Sequence, residues 1–165
     1  MRNEGSESDP CCPKFNPDLW DGKTSNWNDK LFIKDTIRQL FHRPLPSSMG
    51  KAVGRMWRKA KDSGADPSIE DFLLLSYDPS PWKSELFMTV TKEVPGAENV
   101  KLSGTYLSKV FDGPYNSPPK WIKEMEKLVA SKGRRPMRFL FYFTTCPRCA
   151  KIYGHNYAVV FAQID

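Results

Sequence analysis

Hydrophobic and polar positions along the chain fall into one order of segments, and that order occurs twice. Residues 31–42 open with Leu31-Phe32-Ile33 and close with Leu40-Phe41-His42. They predict a first strand, stopped by Pro44 and Pro46. Met49, Val53, Met56, Trp57 and Ala60 then recur at helical spacing, with Ser47 or Ser48 able to cap the helix and Gly64 to end it. Residues 72–77 and 85–90 predict two strands joined by Asp78-Pro79-Ser80-Pro81-Trp82-Lys83. In the second unit a strand over 102–111 meets the Gly113-Pro114 turn, and a helix follows with Trp121, Ile122, Met125, Leu128 and Val129 on one stripe. Strands over 138–144 and 157–163 complete it, joined across Cys146-Pro147-Arg148-Cys149. The predicted fold is α+β: two tandem β-α-β-β repeats, about 30–95 and 100–165, form an antiparallel sheet with two helices on one face and a ligand cleft between the halves on the other. Residues 1–29 form an arm expected to pack on this 30–165 domain through Phe15, Trp20 and Trp27.

Alternation along the strands assigns faces. Glu85, Phe87 and Thr89 share one side, while Leu86, Met88 and Val90 take the other. The helices cover the apolar side, so Glu85 points toward the cleft side. An ordinary solvent-facing glutamate fits the same pattern. In the last strand pair, Leu140, Tyr142 and Thr144 alternate with Phe139, Phe141 and Phe143. That run is apolar on both sides, so alternation leaves its faces open. Tyr142 and Tyr157 are candidates for lining the second half of the cleft.

Composition narrows the class. A chain of 165 residues with 39% hydrophobic and 13% aromatic content supports one globular domain or two halves sharing a core. No apolar run approaches the roughly 20 residues that cross a bilayer. The first ten residues are polar and acidic, unlike a secretory leader, so the cytoplasm is expected and a membrane is not an expected partner. The net charge of +6 comes from cations spread over helix surfaces, such as Lys51, Arg55, Arg58 and Lys59 or Lys120, Lys123 and Lys127. Such faces are solvated. The segment ahead of the first strand is rich in Pro, Asn and Asp, has no helical period and offers no reader helix, so no nucleic-acid partner is expected.

The run Gly104-x-Tyr106-x(4)-Phe111-x-Gly113-Pro114-Tyr115, followed by a helix carrying Trp121 and ending near Gly133, resembles the GyrI-like small-molecule-binding domains. The likeness extends over about 30–164. It is closest to a stand-alone branch often labelled hydrolase, whose members also carry a Cys-Cys-Pro start and a Cys-Pro-x-Cys hairpin. The resemblance implies a central cleft that takes a hydrophobic aromatic small molecule. Tyr106 and Tyr115 would face it, although a Tyr115 that packs in its turn would look the same. Some stand-alone members are hydrolases that open strained cyclopropane rings of alkylating natural products with an aromatic clamp and a glutamate. On this chain Glu85 would orient or deprotonate water, and Trp82, Phe87, Tyr106, Tyr115 and Trp121 would hold a flat substrate. Other members bind drugs without turnover or inhibit a topoisomerase, and these are the alternatives. Ligand-binding regulators of the family place a buried glutamate near the last strand. Here Asn156-Tyr157-Ala158 occupies that region, which shifts any acid-base role toward Glu85. Glu124, one helical turn from Trp121, is a further candidate, against a surface pairing with Lys120 or Lys127. No Gly-x-Ser-x-Gly elbow is present, and His42 and His155 are the only histidines.

The cysteines are a separate candidate. Cys146 and Cys149 have the two-residue gap that lets both thiolates reach one metal, and Cys11-Cys12 could supply the other two ligands of a structural zinc if the arm folds back. Reduced cysteines in a hairpin are the other reading. No cofactor is expected for catalysis.

Overall fold

The computed structural model describes residues 14–44, 47–114, 117–145 and 147–165. The chain runs through β1 (Lys23–Leu40), β2 (Arg43–Pro44), α1 (Ser48–Asp62), β3 (Leu74–Ser80), β4 (Lys83–Thr89), β5 (Glu98–Asp112), α2 (Pro118–Ser131), β6 (Arg138–Phe143), α3 (Pro147–Tyr153) and β7 (Tyr157–Gln163). The strands are antiparallel in the order β1-β4-β3-β6-β7-β5, and β5 pairs back onto β1, so the sheet closes into a six-stranded barrel with β2 as a short appendage. The α+β class stands. The expected open cleft between two half-sheets does not: the halves meet along β1–β5 on one side and β3–β6 on the other. The β3–β6 seam is the lighter of the two, with Ser76 opposite Phe141 as its registered pair.

Helices α1 and α2 lie outside the barrel. Ala52, Met56 and Ala60 recur every four residues along α1 and are buried against Ile33, Ile37, Leu86 and Met88. Trp121, Met125 and Val129 do the same along α2 against Leu107, Phe111, Val160 and Ala162. Alternation sends the other side chains of these strands inward, where Phe32, Leu75, Phe87, Leu102, Tyr106, Leu140, Val159 and Phe161 form a third cluster inside the barrel.

Two elements depart from the expectation. Strand β1 starts eight residues before the predicted boundary, at Lys23. Its polar opening from Lys23 to Asn26 is held by backbone pairing to β5, which hydrophobic periodicity does not register. A bulge between Trp27 and Lys30 follows, where Asp29 takes a positive φ of 52°. The Asp29 amide donates to Ser103 Oγ at 2.9 Å, and that hydroxyl donates to Asp29 Oδ1 at 3.1 Å. The second departure is α3, a short helix within the predicted plain Cys-Pro-Arg-Cys hairpin.

Candidate functional site

The inner face of the barrel holds a connected cluster of aromatic side chains. Trp27 lies 4.2 Å from Tyr106, 5.6 Å from Phe161 and 5.9 Å from Phe32, measured between ring centroids. Trp20 meets Phe161 edge-on at 5.5 Å, and Phe15 meets Tyr157 at 5.6 Å. The segment ahead of β1 therefore packs through Phe15 and Trp20, beside Trp27 on β1, onto the second half of the interior. Its backbone is held too: Ser108 Oγ donates to the Trp20 carbonyl at 2.6 Å, and the Val110 amide donates to Asp21 Oδ1 at 3.1 Å.

The first half of the interior is more polar. Thr36, Glu85 and Tyr77 are register partners on β1, β4 and β3, so they share the inner face with Phe87. The Glu85 side chain is 15% exposed, and Lys34 Nζ donates to its Oε1 at 2.9 Å. Lys83 approaches Glu85 at 3.9 Å, and Lys34 also reaches Glu98 at 3.8 Å. The hydrogen bond to Glu85 holds Lys34 above the usual ammonium range; partial burial opposes it, and the charges of Glu85 and Glu98 add to it. Across the seam, the Arg138 guanidinium lies 5.5 Å from the Tyr77 ring centroid, and its Nε donates to Gln163 Oε1 at 2.9 Å.

Of the residues singled out in the sequence, Glu85, Phe87, Tyr106 and Tyr142 come together inside the barrel, and Tyr157 reaches its rim. Tyr106 is fully buried, with its hydroxyl donating to the Ser103 carbonyl at 3.4 Å. Three others lie elsewhere. Trp121 is buried in the outer core, stacked on Phe111 at 5.5 Å. Glu124 pairs with Lys109 at 3.7 Å on the outside, rather than with Lys120 or Lys127. Trp82 is 56% exposed on the β3–β4 turn, against Phe41. Tyr115, Cys11, Cys12 and Cys146 lie outside the described residues, and Cys149 is buried on α3. Sequence reasoning missed Lys34, Tyr77, Arg138 and Gln163. The alternation Arg138-Leu140-Tyr142 carries the signal for Arg138, but only once the inner face is known.

Both histidines pair with aspartates at strand ends. His42 Nδ1 lies 2.7 Å from Asp78 Oδ2, and His155 Nδ1 lies 2.7 Å from Asp112 Oδ2. Beside the second pair, an open depression of about 460 Å³ is lined by Asp112, Gly113, Pro114, Lys151 and His155 among others. Partial burial pushes the Asp112 carboxyl up, but the hydrogen bond with His155, the Asn156 amide at 2.8 Å and the nearby imidazole charge outweigh it and hold it below the usual range. A depressed carboxyl stabilises the fold above its unfolded-state value, and that contribution is lost as pH falls through the folded value. Wild-type protein should therefore melt above Asp112→Asn at pH 7, with the gap closing below about pH 4. A gap unchanged at the lowest pH where both variants fold would contradict this.

The family described as bacterial hydrolase matches residues 2–164. No curated protein matches the chain. Among solved structures, the EcmrR C-terminal domain superposes with a TM-score of 0.68 at 10% identity, covering 89% of this chain and 98% of that one. A hydrolase from Listeria innocua superposes with a TM-score of 0.62 at 10% identity, covering 87% of this chain and 91% of that one. An uncharacterized conserved protein from the same organism gives 0.64, also at 10% identity, with coverage of 87% and 91%. At such identities the likeness is one of fold. No helix among the described residues is long and apolar enough to cross a membrane. On the match over nearly its whole length, the chain belongs to the bacterial hydrolase family.

Proposed function

We propose that this protein is a GyrI-like small-molecule-binding hydrolase whose ligand site is the inner face of the barrel, and that it adds water to a hydrophobic, planar electrophile of the cyclopropane type. The observation that carries this reading is the placement of Glu85. It is a mostly buried carboxylate on the same inner face as Phe87 and Tyr77, in a protein of a hydrolase family. The aromatic interior would stack on a flat substrate. Glu85 would take a proton from a water molecule whose oxygen bonds to the ring carbon. The strained carbon–carbon bond then breaks, its electron pair passes into a conjugated carbonyl, and the proton returns to the resulting enolate.

Aromatic side chains pack against one another inside the barrel, so a ligand on this face displaces some of them. Phe15 and Trp20, ahead of β1, are among the partly buried ones. One observation favours the non-catalytic alternative, a module that sequesters its ligand. Glu85 already accepts a hydrogen bond from Lys34 at 2.9 Å and must share or release that contact to work as a base.

A thermal-shift screen of planar aromatic compounds, including cyclopropane-bearing alkylators, separates the readings. The enzyme returns a stabilising compound with the mass of one added water. A compound that stabilises the protein and comes back unchanged favours the sequestering module.

A further inference from the structure

We infer that the ligand is an aromatic anion and that Arg138 is its charge receptor; this rests on the inner face being the ligand site. The charges that face the first half of the interior do not balance. Glu85 is answered twice, by Lys34 at 2.9 Å and Lys83 at 3.9 Å, while Glu98 lies 3.8 Å from Lys34 and is largely exposed. Arg138 adds a third cation and lies within salt-bridge distance of no carboxylate among the described residues. Its Nε is bound by Gln163, its plane lies over Tyr77, and its two Nη groups meet no acceptor among the described residues.

Arg138 is a half-buried residue whose charge meets no carboxylate among the described residues, and burying an unanswered charge is costly. Its planar fork suits a carboxylate or similar oxyanion, which it can bind through two parallel N–H donors. Gln163 and the Tyr77 ring hold that fork in place. On β3 the partly buried Tyr77 offers ring surface on the same side of the sheet as the buried Phe87 of β4, so a ligand with an aromatic body and an anionic oxygen group satisfies both features at once. A cationic aromatic meets Lys34, Lys83 and Arg138, with Glu85 already paired and Glu98 largely exposed.

Three near-isosteric probes test this: 2-naphthoate, 2-naphthalenemethanol and 2-naphthylmethylammonium, titrated calorimetrically into the full chain. The expected order of affinity is anion, then neutral, then cation, with the anion about tenfold tighter than the cation. Arg138→Gln should remove the advantage of the anion and leave the neutral probe unchanged. Arg138→Lys keeps the charge without the fork and should fall between. Arg135→Gln, on an exposed loop, should behave as wild type. Melting curves of each variant check that it folds. Equal binding of all three probes, or a preference for the cation, overturns the charge assignment and leaves the inner face as the site. Anion binding that survives Arg138→Gln overturns the role of Arg138. If none of the probes binds at millimolar concentration, the inner face itself fails as the site, and the assignment fails with it.

Discussion

Gly104→Ala is expected to destabilise the domain by roughly 3 kcal/mol, lowering its melting temperature by roughly 6–12 °C. Gly104 sits in the middle of β5 opposite Trp27, with a φ of 129°, a region that L side chains rarely adopt. A Cβ there would lie 2.3 Å from the Asp165 carbonyl oxygen and 3.0 Å from Gln163 Nε2. The carbonyl is main chain and accepts from the Thr105 amide, so moving it away costs that hydrogen bond. Backbone strain of about 1–3 kcal/mol therefore adds to an overpacking cost of similar size. Gly133→Ala is the control. It shares a positive φ of 70° but has nothing within 4 Å of its added Cβ, so only the conformational part remains. Equal losses at the two positions would show that the close approach at Gly104 does not matter.

Glu85→Gln should lower turnover of a hydrated substrate by about 10²- to 10⁴-fold, the usual contribution of a positioned general base. Binding should change little, because the amide keeps the shape and one acceptor. The same substitution removes the charge that pairs with Lys34, for which a loss of about 1 kcal/mol is expected, since both groups retain some solvent. Measuring substrate affinity and rate separately distinguishes the two effects. A variant that turns over as wild type removes Glu85 from the chemistry. A variant that loses binding and rate together shows that Glu85 holds the ligand or the barrel instead.

The strand β4 was legible because its two faces differ in polarity. Glu85 marked the inner side, and Leu86 and Met88 marked the side that α1 covers. Strand β6 was not legible by the same rule, since Leu140 is buried inward and Phe141 outward, and a doubly buried strand shows no alternation. The placement of Trp121 follows from the helix stripe alone. It shares a face with Met125 and Val129, and a stripe that packs on the outside of the sheet cannot also reach the opposite side.

Closure of the barrel was beyond the pattern. Each unit predicts its own strands, but the pairings of β5 with β1 and of β3 with β6 join residues far apart in sequence, and hydrophobic period records only which face is buried. For the same reason Arg138 and Glu85 could not be placed on either side of Tyr77, although each stands in a recognisable strand. The polar lining of the first half of the barrel emerges only when β4, β3 and β6 lie side by side.

A ligand inside the barrel touches Phe87, whereas one at the outer helix or the exposed turn touches Trp121 or Trp82. The most direct measurement compares the affinity of the tightest naphthyl probe for wild type, Phe87→Leu, Trp121→Phe and Trp82→Ala by calorimetry, with melting curves as a check on folding. The inner face as the site predicts a loss of about tenfold for Phe87→Leu, which removes an inward ring at modest cost in volume, and no change for the other two. Undiminished binding by Phe87→Leu, together with a loss in Trp121→Phe or Trp82→Ala, would contradict it and move the site to the outside of the barrel.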